Sequence, residues 1–67
     1  MVVHIKNINA EPSRIEGFLA RFKYQCLRIK DTWTIQGVTE EDYPKFEELE
    51  KELKAEGKTV FIKKNGL

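Results

Sequence analysis

The fold of this chain is decided by residues 26–36, which read Cys26-Leu27-Arg28-Ile29-Lys30-Asp31-Thr32-Trp33-Thr34-Ile35-Gln36. The large apolar residues of this stretch all have the same parity: Leu27, Ile29, Trp33 and Ile35. A hairpin that pairs Ile29 with Trp33 around a three-residue tip keeps all four on one face. One continuous strand over residues 26–36 would also place these four side chains on one face. We favour the hairpin because so long a strand exceeds the usual five or six residues, although the tip lacks Gly or Asn.

The residues before this stretch predict a strand followed by a helix. Residues 2–7 alternate, with Val3 and Ile5 on one side of the predicted strand and the polar residues on the other. Pro12 is tolerated in a first helical turn, where no N–H is needed. An apolar stripe at helical spacing then predicts a helix running to about residue 24: Ile15, Phe18, Leu19 and Phe22.

The residues after it predict a second helix and a last strand. Thr39 can accept a hydrogen bond at the helix entry, and the helix proper is expected to begin near Asp42. The buried stripe of this helix is Phe46, Leu49 and Leu53. Gly57 supplies the left-handed stop. Residues 59–63 form the last strand, with Val60 and Ile62 facing the core, and residues 64–67 are expected to fray.

With the hairpin in place, the element order is β-α-β-β-α-β. In that order the chain resembles the ferredoxin-like split βαβ arrangement over residues 2–64. The resemblance implies a two-layer α+β sandwich, in which two helices cover one face of a four-stranded antiparallel sheet and the first and third strands are central. It implies a sheet core of Val3, Ile5, Leu27, Ile29, Trp33, Ile35, Val60 and Ile62. This architecture serves many unrelated functions, so it predicts no activity.

Length and cysteine content limit the class of protein. A chain of 67 residues is predicted to form a single small domain over residues 1–67. With Cys26 as its one cysteine, it must fold by packing alone or by packing and self-association, and a lone thiol fits a reducing compartment. No apolar run approaches the roughly 20 residues that cross a bilayer, and the first residues do not resemble a signal peptide. The expected location is cytoplasmic.

The sheet surface away from the helices is the candidate binding site, because two helices cover only one side. The residues expected on it are His4, Lys6, Arg28, Lys30, Thr34, Gln36, Phe61 and Lys63, together with the apolar or small side chains of Val2, Ile8, Cys26 and Val38. The positive charges favour binding to a nucleic-acid backbone. The apolar residues, with Phe61 as anchor, favour a protein partner or a homodimer. An RNA-recognition domain would carry aromatic residues on its central strands, where this chain has His4, Lys6, Thr34 and Gln36.

Catalysis is the least supported class. Nucleophilic chemistry would need a base beside Cys26, and the only histidine, His4, is expected on a strand that does not neighbour it. No cluster of metal ligands and no glycine-rich phosphate loop is present in the sequence. We therefore expect a non-catalytic binding module without metal, cofactor or small-molecule substrate and without membrane contact. Its expected partner is a protein or a second copy of the chain, with nucleic acid as the alternative.

Overall fold

A computed structural model describes residues 1–64. They form six elements: β1 at Val3–Asn7, α1 at Pro12–Leu19, β2 at Gln25–Ile29, β3 at Thr32–Gln36, α2 at Tyr43–Ala55 and β4 at Val60–Lys64. The strands make one antiparallel sheet in the order β2-β3-β1-β4. The prediction of an α+β fold with a four-stranded antiparallel sheet and two helices is therefore confirmed, and residues 26–36 form a hairpin.

Both helices pack against the same face of the sheet. Their apolar stripes and one set of strand residues form a single buried cluster, which includes Val3, Ile5, Ile15, Phe18, Leu19, Trp33, Ile35, Phe46, Leu49, Leu53 and Val60. Fully burying a side chain of this size contributes about 1.5–3 kcal/mol, so the cluster is the main source of stability. We call the covered side of the sheet the helix face.

The first helix is shorter than its apolar stripe predicts. After Leu19 the backbone tightens, because the N–H of Arg21 donates to the carbonyl of Phe18 and that of Phe22 to the carbonyl of Leu19, each at 3.1 Å. These tighter turns end the helix. Phe22 then stacks on Phe46, with ring centroids 5.7 Å apart, and stays half-buried at the rim of the core.

The second helix begins and ends close to the predicted residues. Before it, the N–H of Asp42 donates to the Thr39 hydroxyl at 3.2 Å, as expected of an acceptor at this position. After it, Gly57 has a φ of +83°. The N–H of Gly57 bonds the carbonyl of Lys54 at 3.0 Å and the N–H of Lys58 bonds that of Leu53 at 2.8 Å. This pair of bonds is the Schellman motif, so the predicted stop at Gly57 is confirmed.

The hairpin between β2 and β3 differs from the prediction in its register. Ile29 pairs with Thr32, whereas we expected it to pair with Trp33 across a three-residue tip. The tip is Lys30 and Asp31 alone. Lys30 has a φ of 57°, in the left-handed region that two-residue hairpin tips require. The predicted three-residue tip is therefore wrong.

This shift reverses the faces of β2. Successive side chains on a strand point to opposite sides, so a displacement of one residue moves every side chain of β2 to the other face. Leu27 and Ile29 were expected in the core, but they are 61% and 64% exposed and lie on the side without helices. Cys26 and Arg28 were expected on that side, but they lie on the helix face, opposite Ile35 and Trp33.

The last strand extends one residue beyond the prediction. Lys64, expected to fray, belongs to β4 and pairs with Val3. The rest of the expected frayed segment, residues 65–67, lies outside the described residues.

Candidate functional site

The candidate site is the uncovered side of the sheet, which we call the open face. Strand pairing places its side chains in two rows that each cross all four strands. They are Leu27, Thr34, His4 and Lys63 in the first row, and Ile29, Thr32, Lys6 and Phe61 in the second. No carboxylate is present in either row. Gln25 and Gln36 pair with each other beside the first row and extend the face.

Large apolar side chains lie on both edges of the open face. Leu27 and Ile29 are on β2, and Phe61, which is 57% exposed, is on β4. Ile8 follows β1 directly and is 53% exposed. Among residues 1–64 these four are the only large hydrophobic side chains so exposed. Because neighbouring strands lie about 4.8 Å apart, the two apolar edges are roughly 14 Å from each other.

The centre of the open face is polar and its charge is positive. Lys6, on the central strand β1, and Lys63, next to the centre on β4, are exposed. His4 is half-buried, with its Nδ1 3.3 Å from the Thr34 hydroxyl. The hydroxyls of Thr32 and Thr34 separate the lysines from the apolar residues of β2. The face therefore combines apolar edges with a basic centre.

Arg28, predicted to be a binding residue, lies on the opposite side of the sheet. Its guanidinium is 2.7 Å from a carboxylate oxygen of Glu16 on α1 and 4.7 Å from the centre of the Trp33 ring. Its Nε donates to the carbonyl of Lys30 at 2.8 Å. These contacts hold the charge over the helix face. The open face thus has fewer fixed charges than the sequence predicted.

The remaining predicted site residues divide into two groups. The structure brings together His4, Lys6, Phe61 and Lys63 on the open face, as expected. Gln36, at the end of β3, also lies on the open face opposite Gln25, whereas Lys30 is in the hairpin tip. Sequence reasoning missed Leu27 and Ile29. The tip residues carried no signal for the correct register, because the two-residue tip of Lys30 and Asp31 also lacks Gly and Asn.

Two further residues expected on this face are elsewhere. Val38 is 1% exposed and belongs to the core, and its N–H donates to the carbonyl of Met1 at 2.9 Å. Cys26 lies on the helix face of β2, where partial burial raises the pKa of its thiol. A raised pKa lowers the thiolate fraction at neutral pH, so the environment does not activate the sulfur.

The described residues bring the thiol and the imidazole to opposite faces of the sheet and form no metal-binding cluster. His4 is on the open face and Cys26 is on the helix face, so the sheet lies between the imidazole and the thiol. Within residues 1–64 there is no group of three or more His, Cys, Asp or Glu side chains that could hold a metal ion. None of the helices found there is long and apolar enough to span a bilayer.

Comparison with known proteins does not identify a family for this chain. No protein-family model, no curated protein and no solved structure matches this chain. The open face must therefore be interpreted from its own chemistry.

Proposed function

We propose that this chain is a small non-catalytic protein-binding module that acts through the open face. The observation that carries the proposal is that Leu27, Ile29 and Phe61 lie on one side of the sheet, more than half exposed, with no carboxylate among them. Covering a Leu or Ile side chain completely is worth about 1.5–3 kcal/mol, so a partner that buries these residues gains binding energy from each.

Charge complementarity defines the kind of partner. Lys6 lies between the apolar edges and Lys63 lies beside Phe61 on β4, and a second copy docked face to face would place these lysines against its own. Like charges in an interface oppose association, whereas carboxylates placed opposite them favour it. We therefore propose an amphipathic segment that carries large apolar side chains flanked by Asp or Glu.

The arrangement of the elements supports a related proposal about the fold. The strands β1 and β3 are central, β2 and β4 are edges, and both helices lie on one face. This is the placement that the resemblance to the ferredoxin-like split βαβ arrangement implies. We propose that arrangement for this chain, and with it an open face that is free for binding.

Nucleic-acid binding is the alternative to a protein partner. It is favoured by the absence of carboxylates from the open face and by Lys30 in the neighbouring tip. It is weakened by Arg28, whose charge is already paired with Glu16 on the other side of the sheet. Nor do the central strands offer a Phe, Tyr or Trp side chain on this face for stacking against a base.

The experiment is a titration of isotope-labelled protein, followed by amide chemical shifts. The probes are a synthetic peptide of about 18 residues with Leu on one helical face and Glu on the other, and a matched peptide with Lys in place of Glu. We expect only the Glu peptide to bind, with shifts concentrated on β1, β2 and β4. Phe61→Ser and Leu27→Ser should each weaken binding by about tenfold or more, since buried apolar anchors dominate such interfaces.

Matched charge variants test the basic centre. Lys6→Glu should weaken binding of the Glu peptide several-fold, whereas Lys51→Glu, at an exposed position on α2, should not change it. Single-stranded DNA and duplex RNA are titrated in parallel at low salt. Binding of nucleic acid alone, with a log–log salt slope near −0.7 per contact on the single-stranded DNA, would replace the protein-binding proposal with the alternative. Equal binding of both peptides would also contradict it.

A further inference from the structure

The two edges of the sheet differ in their protection against pairing with another strand. An edge strand exposes unpaired N–H and C=O groups, and natural proteins usually guard them with lysine, proline or a bulge. The β4 edge carries Lys63 and Lys64. The β2 edge, Gln25–Ile29, has no lysine, proline or glycine, and all five of its residues are exposed. The β2 edge therefore lacks the residues that protect an edge strand from pairing with another strand.

The only charge on β2 is already neutralised. Arg28 is bound to Glu16 and lies over the ring of Trp33, on the helix face. A strand that paired with β2 would contact no unpaired charge, but it would contact the exposed side chains of Leu27 and Ile29. An acidic or basic strand therefore gains no charge pairing at the β2 edge. A strand with apolar side chains and no unpaired charge is complementary, and β2 itself, whose Arg28 is paired with Glu16, is such a strand.

We propose that β2 pairs antiparallel with β2 of a second copy of this chain, around a two-fold axis at Leu27, to give one continuous eight-stranded sheet. This register pairs all five residues of each strand. It places Leu27 opposite Leu27, Gln25 opposite Ile29, and Cys26 opposite Arg28. An axis at Arg28 would instead set two guanidinium groups against each other, and an axis at Cys26 would leave Ile29 opposite Lys23, outside the strand.

The dimer is consistent with the charges and with an accessible open face. Directly opposed residues lie on the same side of an antiparallel pair, so both copies have their helices on one side and their open faces on the other. Leu27 and Ile29 of the two copies then form one apolar patch at the centre. The axis lies half a strand spacing outside β2, so the lysines of β1 and β4 are about 12 and 17 Å away from it along the sheet. The pairing does not depend on what binds the open face.

The test uses disulfide formation between single cysteines introduced in a Cys26→Ser background. Leu27→Cys places a thiol on the axis, and directly opposed Cα atoms about 4.5–5.5 Å apart are within disulfide range. Under mild oxidant we expect this variant to form a covalent dimer at least about tenfold faster than Gln25→Cys or Lys63→Cys, whose thiols lie off the axis or on the other edge. Mixing Gln25→Cys with Ile29→Cys should restore cross-linking.

The mass in solution gives the second measurement, without an introduced thiol on the axis. Light scattering at high protein concentration should show twice the chain mass of 7.9 kDa. Cys26→Lys, which opposes a lysine to Arg28 of the second copy, should give the single-chain mass with an unchanged circular dichroism spectrum. It should also leave peptide binding to the open face intact. A single-chain mass for the unmodified protein at millimolar concentration, or cross-linking of Lys63→Cys as fast as Leu27→Cys, overturns the proposal.

Discussion

Trp33 is 2% exposed, and the guanidinium of Arg28 lies across its ring. The position of Trp33 could be predicted from parity alone, because it alternates with Ile35 on a central strand that is covered by helices. Arg28 could not be placed in this way. Its position depends on the register of an edge strand and on Glu16, which is far from it in sequence. The faces of β2 thus depend on the hairpin register, whereas those of β1, β3 and the other edge strand, β4, follow from alternation.

The burial of Trp33 leads to a prediction about stability. Trp33→Ala should lower the free energy of unfolding by about 3–5 kcal/mol, through lost burial and a new cavity. Trp33→Phe should cost less, since it keeps an aromatic ring in the core. As the only tryptophan of the chain, Trp33 should emit at short wavelength in the native protein and shift to the red in urea. Native emission at the wavelength of exposed tryptophan would contradict the assigned face.

At the scale of the element, the hairpin is the part that sequence reasoning placed incompletely. Both helices and all four strands could be predicted, because apolar stripes and alternation are local signals. The register could not be predicted, because tips of two and three residues give opposite faces for β2. The three-residue tip was preferred because it places Leu27 and Ile29, the two large apolar side chains of β2, in the core. In the folded chain β2 is an edge strand, and Arg28 occupies the side next to α1 through its pair with Glu16.

The register can be tested by matched truncations in the two strands of the hairpin. Ile29→Ala and Ile35→Ala remove the same atoms from β2 and β3. Ile35 is fully buried, so its truncation should cost about 2–5 kcal/mol. Ile29 is 64% exposed, so its truncation should change stability by about 0.5 kcal/mol or less. Urea unfolding measures both. Similar large losses in the free energy of unfolding for the two variants would support the three-residue tip instead.

At the scale of the whole molecule, two polar contacts join parts of the chain that are distant in sequence. Arg14, near the start of α1, forms two hydrogen bonds with Glu56 after the end of α2, at 2.6 and 3.0 Å. The Tyr24 hydroxyl donates to Asp42, at the start of α2. The hydrogen bond from Arg14 lowers the pKa of Glu56, and the bond from Tyr24 lowers the pKa of Asp42. Both carboxylates are therefore favoured in the folded state.

These shifts predict how stability depends on pH. Because the two carboxyl groups have lower pKa values when folded than when unfolded, their contribution is present above the unfolded pKa values and is lost as the pH falls through the folded ones. The urea midpoint should therefore decrease below about pH 5. In the double variant Glu56→Gln, Asp42→Asn the decrease should be shallower. An identical acid dependence in the double variant and the parent protein would show that these contacts do not contribute.

The length of the tip at Lys30 and Asp31 has a consequence for how this surface could arise. If the tip stays at two residues, one added codon between them shifts the pairing of β2 by one residue, so that Lys30 pairs with Thr32, and turns β2 over without altering any other side chain. Leu27 and Ile29 would then point toward the helices, and Cys26 and Arg28 would point away from them. The residues 26–36 are therefore compatible with two open faces. One carries the apolar side chains of β2 and the other carries the charge of Arg28. A single insertion or deletion, rather than a series of substitutions, is enough for a lineage to pass from one surface to the other.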